Sequence, residues 1–182
     1  MVKNFEVVVN QNNDELVVQQ LVAALRANDR CARQIRSFAA DIAAVAQTRG
    51  LSFQPRPGQI LACHFGLGFE VPENVKTRPV LVVSPKQREN TGLCVVVPIS
   101  SKRPDEPKPY HFMLPAGLVP NEKYAESWIK GDMVVSVGLH RLDRFKVGFR
   151  EYAAPMVPDE VLREARRCVL HAVGMASLTG NW

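Results

Sequence analysis

The segment "NVKTRPVLVVSPKQRENTGLCVVVPISS", Asn74 to Ser101, sets an arginine at the start of one apolar run and two hydroxyls at the end of the next. Arg78 precedes "PVLVVSP", and Ser100 and Ser101 follow "LCVVVPI". A guanidinium stays charged at any physiological pH, and its planar donor fork suits a phosphate. A serine hydroxyl both donates and accepts hydrogen bonds. Further along, "IKGDM" carries Lys130 and Asp132 two residues apart. In a strand, residues at that spacing share a face, so an ammonium and a carboxylate would point to one side. Each group also has an ordinary alternative. Arg78 can close a strand end at the surface, and Ser100 and Ser101 can bond their own turn backbone. Asp132 can cap a turn, and Lys130 can be a solvated lysine.

The elements that must position these groups follow from the apolar pattern. From Gly58 to about Phe149 the chain reads as short strands: "QILACHF", "PVLVVSP", "LCVVVPI", "YHFMLP", "SWIKGDMVVSV" and a piece near "RLDRFKV". The turn signals "GLG", "KQRENTG", "RPDEPKP" and "AGLVPNEK" separate them. Such spacing points to a compact barrel or sandwich. The prolines of "SFQPRPG" end any helix before this region, which divides the chain into residues 1–52 and 53–182. The first part begins with a short strand, Lys3 to Val9. A helical stretch follows from about Asp14 to Arg49, with Asn12 and Glu15 as a capping box and Gly50 as a stop. "RANDR" allows a break into two helices. The sets Leu16, Val17, Leu21, Leu25 and Cys31, Ile35, Phe38, Ile42, Val45 each fall on one helical face. They are expected to pack on the chain's own core, with a partner interface as the alternative. The last element reads as one helix from Asp159 to Met175, with Pro158 at its first turn and an apolar face that includes Val161, Leu162, Ala165 and Cys168.

A length of 182 residues fits one domain with an extension. The net charge of +5 favours a polyanionic partner without establishing one. Cys31, Cys63, Cys94 and Cys168 lack zinc-site spacing and read as small buried hydrophobes, which favours a reducing, cytoplasmic setting. "MVKNFEVVVNQ" has no signal-peptide core, and no apolar run approaches the ~20 residues that span a bilayer, so no membrane partner is expected. A G-x-S-x-G elbow, a P-loop and a dinucleotide fingerprint are all missing. His64 and His111 read as satisfied strand residues in preference to catalysts. Tyr110 and Trp128 can stack bases or fill a core.

Taken in order, "RPGQILACHFG", "KTRPVLVVSP", "TGLCVVVPISS", "KPYHFML", "SWIKGDMVVSV" and "HRLDR" resemble the PemK/MazF family of toxin endoribonucleases, and more narrowly its YifN-type branch. The resemblance covers about Pro55 to Leu170. It implies an α+β fold, a small SH3-like (Kid/CcdB-type) β-barrel with a C-terminal helix, to which this chain adds an N-terminal helical extension. It also implies a homodimer, an antitoxin partner, and cleavage of single-stranded RNA without metal or cofactor. The 2′-hydroxyl attacks the adjacent phosphate, which requires a proton acceptor, a proton donor and stabilisation of the phosphorane's charge.

Residue by residue, the resemblance makes Arg78 the phosphate clamp and gives Ser100, with Ser101, a hydrogen bond to the same oxygens. Asp132 becomes the base and Lys130 the acid, where the PemK branch carries arginine. Glu70 falls in the loop that covers RNA in relatives. Lys76, Thr77, Ser101, Lys102 and His111 are expected to complete the RNA-binding surface. The chain departs from the pattern in "GFEVPENVK", which has Pro72 and no glutamine where relatives often read G-x-E-Q-x-G. Serine replaces threonine at Ser100, and His64 stands where many relatives carry aspartate. These departures keep open a non-catalytic nucleic-acid- or protein-binding module on the same barrel. The N-terminal helices, outside the resemblance, either enlarge the core or dimer interface or cover the groove in cis.

Overall fold

The computed structural model describes residues 16–20, 22, 23, 50–66, 73, 74, 76–85, 91–121 and 126–181. The chain divides into two units, Met1–Ala43 and Ala44–Trp182. In the first, residues 16–20, 22 and 23 are helical, and Leu16, Val17, Val18 and Val22 are exposed. The strand expected from Lys3 to Val9, and the rest of the helical stretch to Arg49, lie outside the described residues.

The described part of the second unit is a mixed α+β fold. Its strands are β1 (Ile60–His64), β2 (Thr77–Val82), β3 (Leu93–Ser100), β4 (His111–Met113), β5 (Trp128–Lys130), β6 (Val135–Gly138), β7 (Leu142–Asp143), β8 (Phe145–Gly148) and β9 (Glu151–Ala153). A C-terminal helix, Asp159–Ala172, follows. The first seven strands form one antiparallel sheet in the order β4-β5-β3-β2-β1-β7, with β6 also paired to β3; β8 and β9 make a separate hairpin. Strand β3 organises this sheet. Along one edge it pairs with β2, and along the other with β6 over Leu93–Val96 and then with β5 at Ile99 and Ser100.

Both faces of the sheet are buried, which is why its central strands read as continuous apolar runs. Alternate residues separate into two clusters. Leu61, Val80, Val82 and Val96 pack with Leu51, Cys63, Phe65, Cys94, Val137, Leu139 and Leu142. Ile60, Leu81, Val97, Ile99 and Ile129 pack with Val161, Leu162, Ala165 and Cys168 of the C-terminal helix. Leu51 belongs to this core although it precedes "SFQPRPG"; its N–H donates to Leu139 O at 3.0 Å. Cys63, Cys94 and Cys168 are buried and free. Burial pushes their thiols up to about 12, 11 and 11, so they stay protonated and act as packing groups.

Two readings were too coarse. "SWIKGDMVVSV" is not one strand, because a 3₁₀ turn at Gly131–Met133 separates β5 from β6. "RLDRFKV" holds both β7 and β8, and β9 has no counterpart in the sequence reading. The C-terminal helix stops at Ala172, short of Met175, and Gly174 supplies the left-handed φ of 77° that ends such helices. A short 3₁₀ segment, Ala176–Asn181, follows it.

The 3₁₀ turn has a specific cause. A Cβ at Gly131 would stand 2.6 Å from the carbonyl carbon of Cys168, 2.7 Å from its oxygen and 2.8 Å from its Cβ. Only glycine lets the turn lie this close to the helix backbone, and neither backbone can yield without moving its element. Gly131→Ala is therefore expected to destabilise the fold by about 1–3 kcal/mol. A urea unfolding midpoint lowered at unchanged slope would show this. Gly180→Ala, where nothing lies within 4 Å, is expected to stay within about 0.5 kcal/mol of wild type.

Candidate active site

The β2–β3 register decides what meets Arg78. Val80 pairs with Pro98, Leu81 with Val97 and Val82 with Val96. Two steps outward from Val80 and Pro98, that register sets Arg78 across from Ser100. On the other side of β3, Ser100 pairs with Trp128 and Ile99 with Ile129, so Lys130 stands across from Pro98. Strand β4 extends the row, with His111 opposite Lys130 and Met113 opposite Trp128. Directly opposed residues of antiparallel strands share a face, with Cβ atoms about 4.5–5.5 Å apart. Arg78, Ser100 and Lys130 thus meet on one side of the sheet, from three adjacent strands.

They line a cleft of about 120 Å³, together with Glu73, Asn74, Pro98 and Met133. A single water needs about 10–15 Å³ of such space, so there is room for a tetrahedral anion. Arg78 is half-buried, and its Nε is buried with no hydrogen-bond partner among the described residues. A buried donor left unpaired costs about 1–3 kcal/mol, and more when charged. Ser100 Oγ accepts the N–H of Lys102 at 3.1 Å. This is the turn bond of the ordinary reading, and it leaves the hydroxyl's own proton free to donate. The ammonium of Lys130 has its pKa lowered by burial and by Lys102, against the opposing pull of Asp132 and Asp105.

Asp132 behaves differently from its expected strand position. In the 3₁₀ turn the repeat is three residues, not two. Met133, three residues after Lys130, therefore lines the cleft with it, while Asp132 does not. The Asp132 side chain is 43 % exposed, with Oδ1 3.6 Å from His111 Nε2. His111 Nδ1 accepts the backbone N–H of Lys108 at 3.1 Å, which assigns the ring proton to Nε2, the nitrogen facing Asp132. Burial, with Lys130 and Lys108 nearby, lowers the His111 pKa against the opposing Asp132, which favours the neutral ring.

The remaining expected contacts are spread around this cleft. Lys76, Thr77, Ser101 and Lys102 are exposed. Thr77 Oγ1 is 2.9 Å from His64 Nδ1, which occupies its hydroxyl. Glu70 lies outside the described residues. The sequence reading missed Asn74, which is buried and donates to Met133 Sδ at 4.0 Å, and missed Glu73 and Met133 as cleft walls. Their apposition arises from the 3₁₀ turn, for which no sequence signal was read. A larger groove of about 260 Å³ lies between Val83–Pro85, Val95 and the helix residues Arg166, Val169 and Leu170. It is almost wholly apolar, and Arg166 Nε donates to Val83 O at 3.1 Å, so the polar groups converge in the smaller cleft instead. Among the described residues no group of three or more His, Cys, Asp and Glu is placed to hold a metal ion, and no helix is long and apolar enough to cross a membrane.

Comparison with known proteins agrees with this architecture. The chain is 27 % identical to the Escherichia coli (strain K12) protein YifN, itself described as uncharacterised, over 70 % of this chain and 97 % of YifN. It is similar in structure to MazF from Deinococcus radiodurans (TM-score 0.52, 25 % identity), covering 68 % of this chain and all of that one. An endoribonuclease from a mycobacterial species, solved with its cognate antitoxin, aligns at 20 % identity and a TM-score of 0.46 over 66 % of this chain and 96 % of that one. Residues 56–172, which span β1 to the end of the C-terminal helix and every residue of the cleft, match the family of PemK-like, MazF-like toxins. The chain belongs to that family, the toxins of type II toxin–antitoxin systems.

Proposed function

We propose that this chain is a metal-independent endoribonuclease that cuts single-stranded RNA by attack of a 2′-hydroxyl on the neighbouring phosphate. One observation carries the reading: a buried guanidinium nitrogen with no partner among the described residues, in a cleft that also holds a hydroxyl and an ammonium. Arg78 lines the cleft, so a phosphate held there meets its guanidinium. The Arg78 fork and the Ser100 O–H donate to the two non-bridging oxygens, and both bonds strengthen as negative charge grows in the phosphorane.

The proton balance follows. The Asp132 carboxylate, outside the cleft lining but two residues from Lys130, takes the proton of the 2′-hydroxyl once RNA is bound. The new O–P bond forms as the 5′-O–P bond breaks, and Lys130 delivers a proton to the leaving 5′-oxygen. Products carry a 2′,3′-cyclic phosphate and a free 5′-hydroxyl, and no water is consumed in this step. The lowered pKa of Lys130 suits it to proton donation. Within the same reading, the sheet closes as an SH3-like barrel, residues 53–182 with Leu51 packed into their core form the toxin domain, and the chain works as a cytoplasmic homodimer held in check by an antitoxin.

A second reading is favoured by the position of Asp132, outside the cleft lining. If no group takes the 2′-hydroxyl proton, the same cleft is a non-catalytic RNA-binding module. Binding of single-stranded RNA with no cleavage under any condition would select it.

Two experiments test the nuclease. Wild-type protein is expected to cleave single-stranded RNA equally with and without EDTA, and Arg78→Ala to lose about 10²–10³-fold in rate while keeping its thermal unfolding temperature. Cleavage unaffected by that substitution would remove the mechanism. The second is a pH–rate profile. Lys130 acts in its protonated form, so the rate falls as pH rises through its pKa, which lies below the ordinary lysine value of 10.5. Lys130→Arg is expected to abolish that basic limb, because a guanidinium does not titrate in this range.

A further inference from the structure

Trp128 and Arg103 form a feature that the proposed reaction leaves unused. Trp128 pairs directly with Ser100, so its indole stands beside the cleft hydroxyl on the same face of the sheet. The ring is held in place, with Nε1–H donating to Glu126 Oε2 at 3.0 Å. It is also covered, being only 7 % exposed. The guanidinium carbon of Arg103 lies 5.9 Å from the ring centroid, and Arg103 itself is exposed. A base therefore cannot stack on the indole directly; the surface on offer is the arginine that lies over it.

The path of the chain explains why the two belong together. Arg103 follows Ser100 by three residues, on a turn closed by the Lys102 N–H to Ser100 Oγ bond. The hydroxyl that faces the cleft thus also shapes the loop that returns Arg103 over Trp128. A guanidinium is flat, weakly hydrated and stacks on aromatic faces and on nucleobases. Drawn toward the π-face of the indole at this distance, the guanidinium keeps its own plane available to a nucleobase. Trp128 and Ser100 are cross-strand neighbours, about 4.5–5.5 Å apart at Cβ, which sets the indole, and the arginine near its face, next to the cleft hydroxyl.

We propose that Arg103, backed by Trp128, is a stacking platform for the nucleobase next to the phosphate held by Arg78 and Ser100. The proposal rests on the RNA reading of the cleft and adds a base-binding subsite to it. Because every base has a π-face, the platform favours the presence of a base over its identity.

The test compares two single-stranded 2′-O-methyl oligonucleotides of equal length, one of mixed sequence and one abasic throughout, in anisotropy titrations at fixed salt. Neither can be cleaved, so binding is read apart from catalysis. Wild type is expected to prefer the base-bearing strand by roughly 5- to 150-fold. That preference should drop at least about 5-fold in Arg103→Ala and in Arg103→Lys, since lysine keeps the charge and loses the plane. An unchanged preference in Arg103→Lys would reduce Arg103 to a phosphate contact and overturn the platform. Equal binding of the two strands by wild type would overturn it as well. Base-dependent binding lost with Arg103, in a protein that never cleaves ordinary RNA, would uphold the platform and sink the nuclease.

Discussion

The antiparallel register between β2 and β3 is the constraint on which the candidate site depends. It is set deep in the sheet, where Val80 and Val82 enter one apolar cluster and Leu81 the other, matched across the pair by Val96 and Val97. Side chains along a strand alternate with a period of two, so a slip of one residue would exchange the faces of a whole strand. Each fully buried aliphatic side chain contributes about 1.5–3 kcal/mol relative to exposure, and several would be misplaced at once. Two residues beyond this locked segment, Arg78 and Ser100 inherit the alignment. The core thereby fixes, at no further cost, which hydroxyl the guanidinium meets.

A second constraint places the ammonium. Strand β5 is only three residues long, and its pairing with β3 ends at Ile99 and Ile129. The chain then turns in a 3₁₀ segment pressed against the C-terminal helix at Cys168, a contact that glycine alone permits. The helix therefore acts on the cleft from the far side of the sheet. Its Val161, Leu162, Ala165 and Cys168 hold down Ile129, and Gly131 lets the next turn swing Met133 over the cleft beside Lys130. Arg78, Ser100 and Lys130 owe their meeting to two apolar clusters and one backbone contact, more than to any interaction among themselves.

This division explains what could be read from the letters. The runs containing β1, β2 and β3 were legible because both of their faces are buried, leaving no polar residue to interrupt them. Arg78 and Ser100 stood out as polar groups at the ends of such runs. The alignment of one with the other was not legible, because register is a property of two strands and the pattern of either alone permits several. Lys130 was legible as half of "KGD", whereas the direction of Asp132 depended on a glycine whose reason lies in a helix 37 residues later. Strand β9 was missed because Glu151 and Tyr152 are exposed and carry no alternating apolar signal. Asn74 and Met133 were missed because a buried amide opposite a thioether has no sequence motif.

The electrostatics of the cleft give these positions their purpose. Arg78 and Lys130 bring two cations into one half-buried space, with Glu73 as the acidic member of its wall. Burial and the neighbouring Lys102 already weaken the hold of Lys130 on its proton. Arg78 cannot respond in that way, because a guanidinium does not release its proton in a protein. The pair therefore divides the work by chemistry. In the proposed reaction the group that cannot titrate would supply fixed charge, and the group that can would transfer the proton. A bound phosphate would offset both charges, since Arg78 and Lys130 line the same cleft. As that phosphate passes to a more highly charged phosphorane, the same two groups gain more than they did in the ground state, the differential that lowers a barrier. Under the proposed reaction, folding has already met the desolvation of both cations before RNA arrives, so these charges need not reorganise as it proceeds.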